Sequence, residues 1–198
     1  EAGAQQEVRE ILEERLEAIG KTGKTGNIRG QVAYGDDGPT LELNVLHERL
    51  ADFQAYREAN KANPIWDQLK DLIRRPPNIS LMEILVPLKP SDRLEAPFFV
   101  QRAIAIPIVG HNGELQPLLQ ERSEKQNEQG IRTVLGHVIY GRKPRGFIIA
   151  TQFQDLNALE EYQNVLRTDE SFKQSARNVR EIALTVEYEL WEVFTATV

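Results

Sequence analysis

Of the residue types that carry chemistry, the chain holds three histidines, two tryptophans and no cysteine. Thiol nucleophiles, thiolate metal sites and disulfides are therefore excluded. His137 lies inside a β-branched run, residues 134–140, where an imidazole titrating near neutrality could serve as acid, base or ligand. His47 and His111 fall at a strand end and in a turn, where surface positions are expected. No pair of histidines shows H-x-x-x-H or H-E-x-x-H spacing, so no metal centre is expected. Glu187, Glu189 and Trp191 alternate onto one side of the closing strand. A carboxylate buried there needs a partner, and Arg102 on the presumed neighbouring strand offers one. Ala18 to Thr25 reads AIGKTGKT and satisfies a relaxed phosphate-loop pattern. That chemistry needs a strand before the loop and a helix after it. Here the order is reversed, so nucleotide binding is not expected. No nucleophile elbow, Ser-His-Asp order or glycine fingerprint is present.

The elements that must position these side chains show themselves through a repeat. Gly30-Gln31-Val32-Ala33-Tyr34-Gly35 returns as Gly136-His137-Val138-Ile139-Tyr140-Gly141, an offset of 106 residues. Kept without a gap, that offset brings Leu50 to Leu156, Tyr56 to Tyr162, Trp66 to Phe172 and Glu83 to Glu189. The recurring aromatic positions are expected in the core, and a fixed period of this kind marks duplication.

The second copy reads as a strand at 98–108, a helix from Glu114 to about Gln129 closed by Gly130, and strands at 134–140 and 147–153. A helical stretch over 156–182 and a closing strand over 184–194 complete a β-α-β-β-α-β order. The first copy follows from its helix onward. Val8, Ile11, Leu12, Leu16 and Ile19 form an amphipathic stripe ending at Gly20, followed by strands at 28–34 and 40–46, a helix from about Arg49 and a strand at 79–86. Both second helices are expected to break, at Asn63-Pro64 and at Thr168-Asp169, where caps are available. The expected organisation is α+β: a ferredoxin-like unit over 1–88, a linker over 89–97 with Pro90 and Pro97, and a second ferredoxin-like unit over 98–198. The first unit's opening strand is expected to lie before Glu1.

The closing strand, Val186-Glu187-Tyr188-Glu189-Leu190-Trp191-Glu192-Val193, together with this element order, resembles the dimeric α/β-barrel superfamily. The stretch 102–113 and the Tyr140-Gly141 turn followed by 147–153 are most similar to its NIPSNAP-like, stress-responsive branch. The resemblance implies that the antiparallel sheets pack face to face, here as an intrachain pseudo-dimer. Both sides of 134–140 are largely apolar, which suits a sheet covered on both faces. It also implies two alternatives to plain ligand binding. One is a cofactor-independent monooxygenase acting on an aromatic substrate, for which Asn44, Trp191 and His137 supply the residue types such members use. The other is haem binding, with His137 as the axial ligand.

Within such a barrel the first copy offers Thr40, Glu42 and Asn44 where the second has Ile148 and Ala150 opposite the last two. An apolar wall with a few convergent polar groups is the usual form of a small-molecule site. The expected ligand-binding set is Gln31, Glu42, Asn44, Arg102, His137 and Glu189, for a small, partly apolar ligand held between the sheets without a cofactor.

The net charge of −6 argues against a nucleic-acid partner. No stretch approaches the apolar length of a membrane helix. The expected partner is a small molecule, with no nucleic acid, no membrane and a homo-oligomer allowed. A chain without cysteine suits the cytoplasm.

Overall fold

The computed structural model describes residues 2–32, 40–61, 64–73, 78–141 and 146–197. In chain order, helix α1 (Ala2–Gly20) leads into strands β1 (Gly26–Gln31) and β2 (Leu41–Val45). Helices α2 (Leu50–Asn60) and α3 (Ile65–Leu69) and strand β3 (Leu81–Val86) follow. Next come β4 (Phe98–Pro107), α4 (Asn112–Glu128), β5 (Thr133–Tyr140) and β6 (Phe147–Phe153). Helices α5 (Leu156–Thr168) and α6 (Glu170–Ile182) and strand β7 (Ala183–Thr197) close the chain. The protein is α+β, and the sheet pairings β1–β2, β3–β5, β4–β6 and β5–β6 are antiparallel.

Two compact units emerge: Glu1–Pro77 with Val193–Val198, and Asn78–Glu192. They do not follow the expected ranges 1–88 and 98–198, and β3 is the reason. Instead of closing the first unit, β3 covers the open edge of β5, with Glu83 opposite His137 and Ile84 opposite Gly136. A strand edge with unpaired amides and carbonyls is a strong acceptor for any free strand.

In the second unit the strands run in the order β7-β4-β6-β5-β3. Ala105, Leu135, Phe147 and Ile149 share one face and pack with Leu115 and Leu119 of α4 and Val179 of α6. Leu115, Leu119 and Leu135 are fully enclosed. Burying each such side chain contributes roughly 1.5–3 kcal/mol, so this cluster anchors the unit. The other face carries Val100, Arg102, Ile104 and Val138, all buried as well. The expected break between the last two helices is present. Asp169 lies between them, and its carboxylate accepts from the amides of Ser171 at 2.8 Å and Phe172 at 3.3 Å.

In the first unit the stripe Val8, Leu12, Leu16 on α1 packs on Ile28 of β1 and on Ile65 and Leu69 of α3. The alternation of β1 puts Ile28 toward the helix, while Asn27 and Arg29 point to the other side. The end of β7 adjoins β1, and the Gly26 amide donates to Thr197 Oγ1 at 2.9 Å. The expected cap at Asn63, the side chain of Trp66, the end of the strand expected at 28–34 and most of the turn 141–146 lie outside the described residues.

Candidate functional site

β4 and β7 bring Arg102, Glu189 and Trp191 together, as their residue types suggest. Arg102 Nε donates to Glu189 Oε2 at 2.8 Å, and its Nη2 donates to the same oxygen. Trp191 Nε1 donates to that oxygen too, at 3.1 Å. The guanidinium lies 4.2 Å from the centre of the Trp191 ring. Residues 189 and 191 reach the same place because alternate residues of a strand share a face. Arg102 is 8% exposed and Trp191 2%, so the pair is held in low dielectric. The Arg102 charge is neutralised by Glu189, which suits the cluster to shaping a surface more than to attacking a substrate.

The expected polar face of the first unit is also present. Glu42 Oε2 accepts from Arg29 Nε at 2.9 Å and from Nη2 at 2.6 Å, and Arg29 also reaches Asn44 Oδ1 at 3.3 Å. Asn44 in turn donates to Asn27 Oδ1 at 3.1 Å. Arg29 lies directly opposite Glu42 in the hairpin register, and Asn27 opposite Asn44. Sequence reasoning missed Arg29, although an opposite charge across a strand pair is the ordinary signal. Gln31 continues this face at the strand end, its amide donating to the Thr40 carbonyl at 3.0 Å.

His137 does not take the place assigned to it. In β5–β6 it lies opposite Phe147, and its ring stacks on that phenyl with centroids 4.9 Å apart. It therefore belongs to the face of Leu135, which α4 packs against, and not to the face of Arg102. The gapless offset had matched it with Gln31. Yet Gly30 opposes Leu41 and His137 opposes Phe147, so matching Leu41 to Phe147 brings His137 to Gly30. A one-residue difference in the hairpin connection exchanges the faces of a strand.

His47 is half-buried instead of freely exposed. It lies 5.1 Å from the Tyr56 ring and 5.7 Å from Phe53, with Lys24 Nζ 3.2 Å from its Nδ1. Burial, with the Lys24 charge added, holds its pKa below the usual imidazole value. His111 meets Glu114 at 3.2 Å. Among the described residues no cluster of His, Asp and Glu could hold a metal ion.

The second unit contains a cavity of about 40 Å³ on the helix-covered face of the sheet. Its apolar wall includes Ala103, Ala105, Ile149 and Val179. Arg122 of α4, Arg180 of α6, Gln101, Tyr162 and Tyr188 supply the polar wall. None of these polar residues belongs to the expected set. The overlooked signal is in α4: the core stripe through Leu115 and Leu119 continues at helical spacing onto Ser123 and Gln126, both fully buried. Polar residues on a core stripe mark a place where burial serves something other than packing.

The α+β fold is similar to that of several solved structures. One, named "putative monooxygenase" from Lactobacillus acidophilus, is 10% identical, with a TM-score of 0.66 over 99% of this chain and 90% of that one. A second of that name, from Fusobacterium nucleatum, is 9% identical, with a TM-score of 0.61 over 88% of this chain and 77% of that one. An anthrone oxidase-like protein is 12% identical, with a TM-score of 0.55 over 94% and 86%. At such identities the likeness is one of fold. No family model matches the sequence, and no curated protein does.

Proposed function

We propose that the chain is a tandem duplication of one ferredoxin-like unit, of the NIPSNAP-like branch, whose second copy binds a small, partly apolar ligand. Element positions support the duplication. Helices α2 and α5 begin at Leu50 and Leu156, and strands β2 and β6 at Leu41 and Phe147, both pairs 106 residues apart. A cytoplasmic location suits a chain without cysteine.

The observation that carries the binding reading is the mixed wall of the cavity, with arginine and tyrosine facing alanine, isoleucine and valine. Its size sets a limit. About 40 Å³ holds a few waters or one functional group, so the bulk of any ligand occupies the open mouth. The test is thermal denaturation of the full chain against a panel of small aromatic amphiphiles, repeated with Ala176→Leu. Residue 176 lines the cavity, and a larger side chain there fills it. Ligands should raise the Tm of the parent and lose that effect in the variant. A panel with no effect, or an effect that survives the filling substitution, refutes the proposal.

A monooxygenase reading is favoured by the names of the structural neighbours. Against it, Trp191 and His137 lie on opposite faces of the second unit's sheet, so they share no site. Oxygen uptake with anthrone, absent with heat-denatured protein, would favour catalysis over binding.

A further inference from the structure

We infer that the cavity of the second unit is a carboxylate site, taking a small organic acid through Arg122 and Arg180. This rests on the ligand-binding reading and adds the chemical class of the ligand.

The first observation is a set of buried polar atoms without partners. Among the described residues, Arg122 Nε, Ser123 Oγ and Gln126 Oε1, all on α4, are shut from solvent and make no hydrogen bond, and of the three residues Arg122 lines the cavity. Such a group has lost its hydration with nothing in return, and native structures rarely keep several together. Among the described residues, neither Arg122 nor Arg180 is paired with a carboxylate. The Tyr162 hydroxyl accepts from Gln126 Nε2 at 2.8 Å, which leaves its own proton free to donate at the cavity wall.

The second observation is what the first unit does at the matching positions. The buried stripe Val8, Leu12, Leu16, Ile19 of α1 has the spacing of Leu115, Leu119, Ser123, Gln126 on α4, 107 residues on. Leu16 and Ile19 fill with hydrocarbon the places that Ser123 and Gln126 hold with polar groups. By the same step Arg15 matches Arg122. Arg15 is bonded to Asn60 Oδ1 and lies 5.7 Å from the Tyr56 ring. Tyr56 and Asn60 on α2 correspond to Tyr162 and Leu166 on α5, 106 residues on, and Leu166 lines the cavity. The tyrosine is kept and the amide that satisfies the arginine is gone. On a step of 107, which brings buried Ile65 to buried Phe172, buried Leu69 meets Ala176 of the cavity wall, and the smaller side chain opens the space. One unit thus seals with leucine and asparagine what the other leaves open and cationic.

Carboxylate suits this wall better than phosphate does. A guanidinium fork meets a carboxylate in a planar, two-bonded fit. The alanine and valine floor would strip water from a doubly charged anion without replacing it. The enclosed volume admits the carboxylate group, while the apolar body lies in the mouth.

The experiment is titration calorimetry of the full chain with benzoate, benzamide and inorganic phosphate, repeated with Arg122→Gln and Arg180→Gln. Benzoate should bind at least about tenfold more tightly than benzamide, the equivalent of one charge-assisted hydrogen bond. Each substitution should weaken benzoate by a similar factor and leave benzamide unchanged. Arg180 is exposed, so its variant reports even where Arg122→Gln fails to fold. Equal binding of benzoate and benzamide overturns the carboxylate assignment while leaving a ligand site. Phosphate binding as tight as benzoate, or benzoate binding indifferent to Arg180→Gln, overturns it too. No binding of any probe removes both readings.

Discussion

Arg102 and Trp191 stack in the second unit, with the guanidinium 4.2 Å from the ring centre and both side chains bound to one oxygen of Glu189. Removing one member of a buried ion pair strands the other charge, a loss put at about 3–5 kcal/mol for full burial. The Glu189 side chain keeps 22% of its exposure, so the loss falls at or below the lower end of that range. Arg102→Met and Glu189→Leu should each cost about 2–3 kcal/mol in urea unfolding. The double variant should cost clearly less than their sum. Simple additivity would mean that the pair is not energetically coupled.

His47 should make the first unit sensitive to mild acid. Burial and then Lys24 depress its pKa below the unfolded value of 6.5, with Asp52 opposing them. The unfolded chain therefore binds the proton more readily than the folded one between those two values. This contribution is fully present above pH 6.5 and is lost as the pH falls toward the folded value. The Tm of the parent should drop more than that of His47→Gln between pH 7.5 and 5. Parallel curves would show that the depression is absent.

Two glycines should answer alanine in opposite directions. A Cβ on Gly26 would stand 2.6 Å from the Asn44 carbonyl oxygen and 2.9 Å from Leu16 Cδ1. The first is backbone and cannot swing aside, so Gly26→Ala should cost about 1–3 kcal/mol by forcing β1 from β2. A Cβ on Gly113, in the first turn of α4, would meet nothing within 4 Å among the described residues. Gly113→Ala should leave stability unchanged or raise it by up to about 1 kcal/mol. Matching urea midpoints for the two variants would contradict this assignment.

Strand and helix positions were legible because the apolar period is local: β2 at 41–45, β6 at 147–153 and the break at Asp169 lie where pattern and capping chemistry put them. The Arg102–Glu189 pair was legible because a buried carboxylate demands a cation. The pairing of β3 with β5 was not, since the strand at 81–86 carries the same pattern whichever edge accepts it. The face of His137 was lost to a single residue in a hairpin connection, a length that no periodicity records. The cavity was missed for a different reason. Its signal is polar residues on a core stripe, and the stripe was followed only as far as its leucines.

That stripe gives the last test. Ser123 is fully buried and its hydroxyl has no partner among the described residues, so the folded chain carries the desolvation of a group that gains nothing in return. Ser123→Ala removes the hydroxyl and leaves a methyl that the helix accepts well. The variant should be more stable than the parent by about 1 kcal/mol, read as a higher urea midpoint with an unchanged slope. A gain of this kind is unusual in a core, where most substitutions destabilise. It is expected where a buried hydroxyl is held without a hydrogen-bond partner. A loss of stability would mean that the hydroxyl is already satisfied in solution, by an ordered water or by the helix carbonyl a turn earlier. The Ser123 hydroxyl would then be ordinary hydrated core.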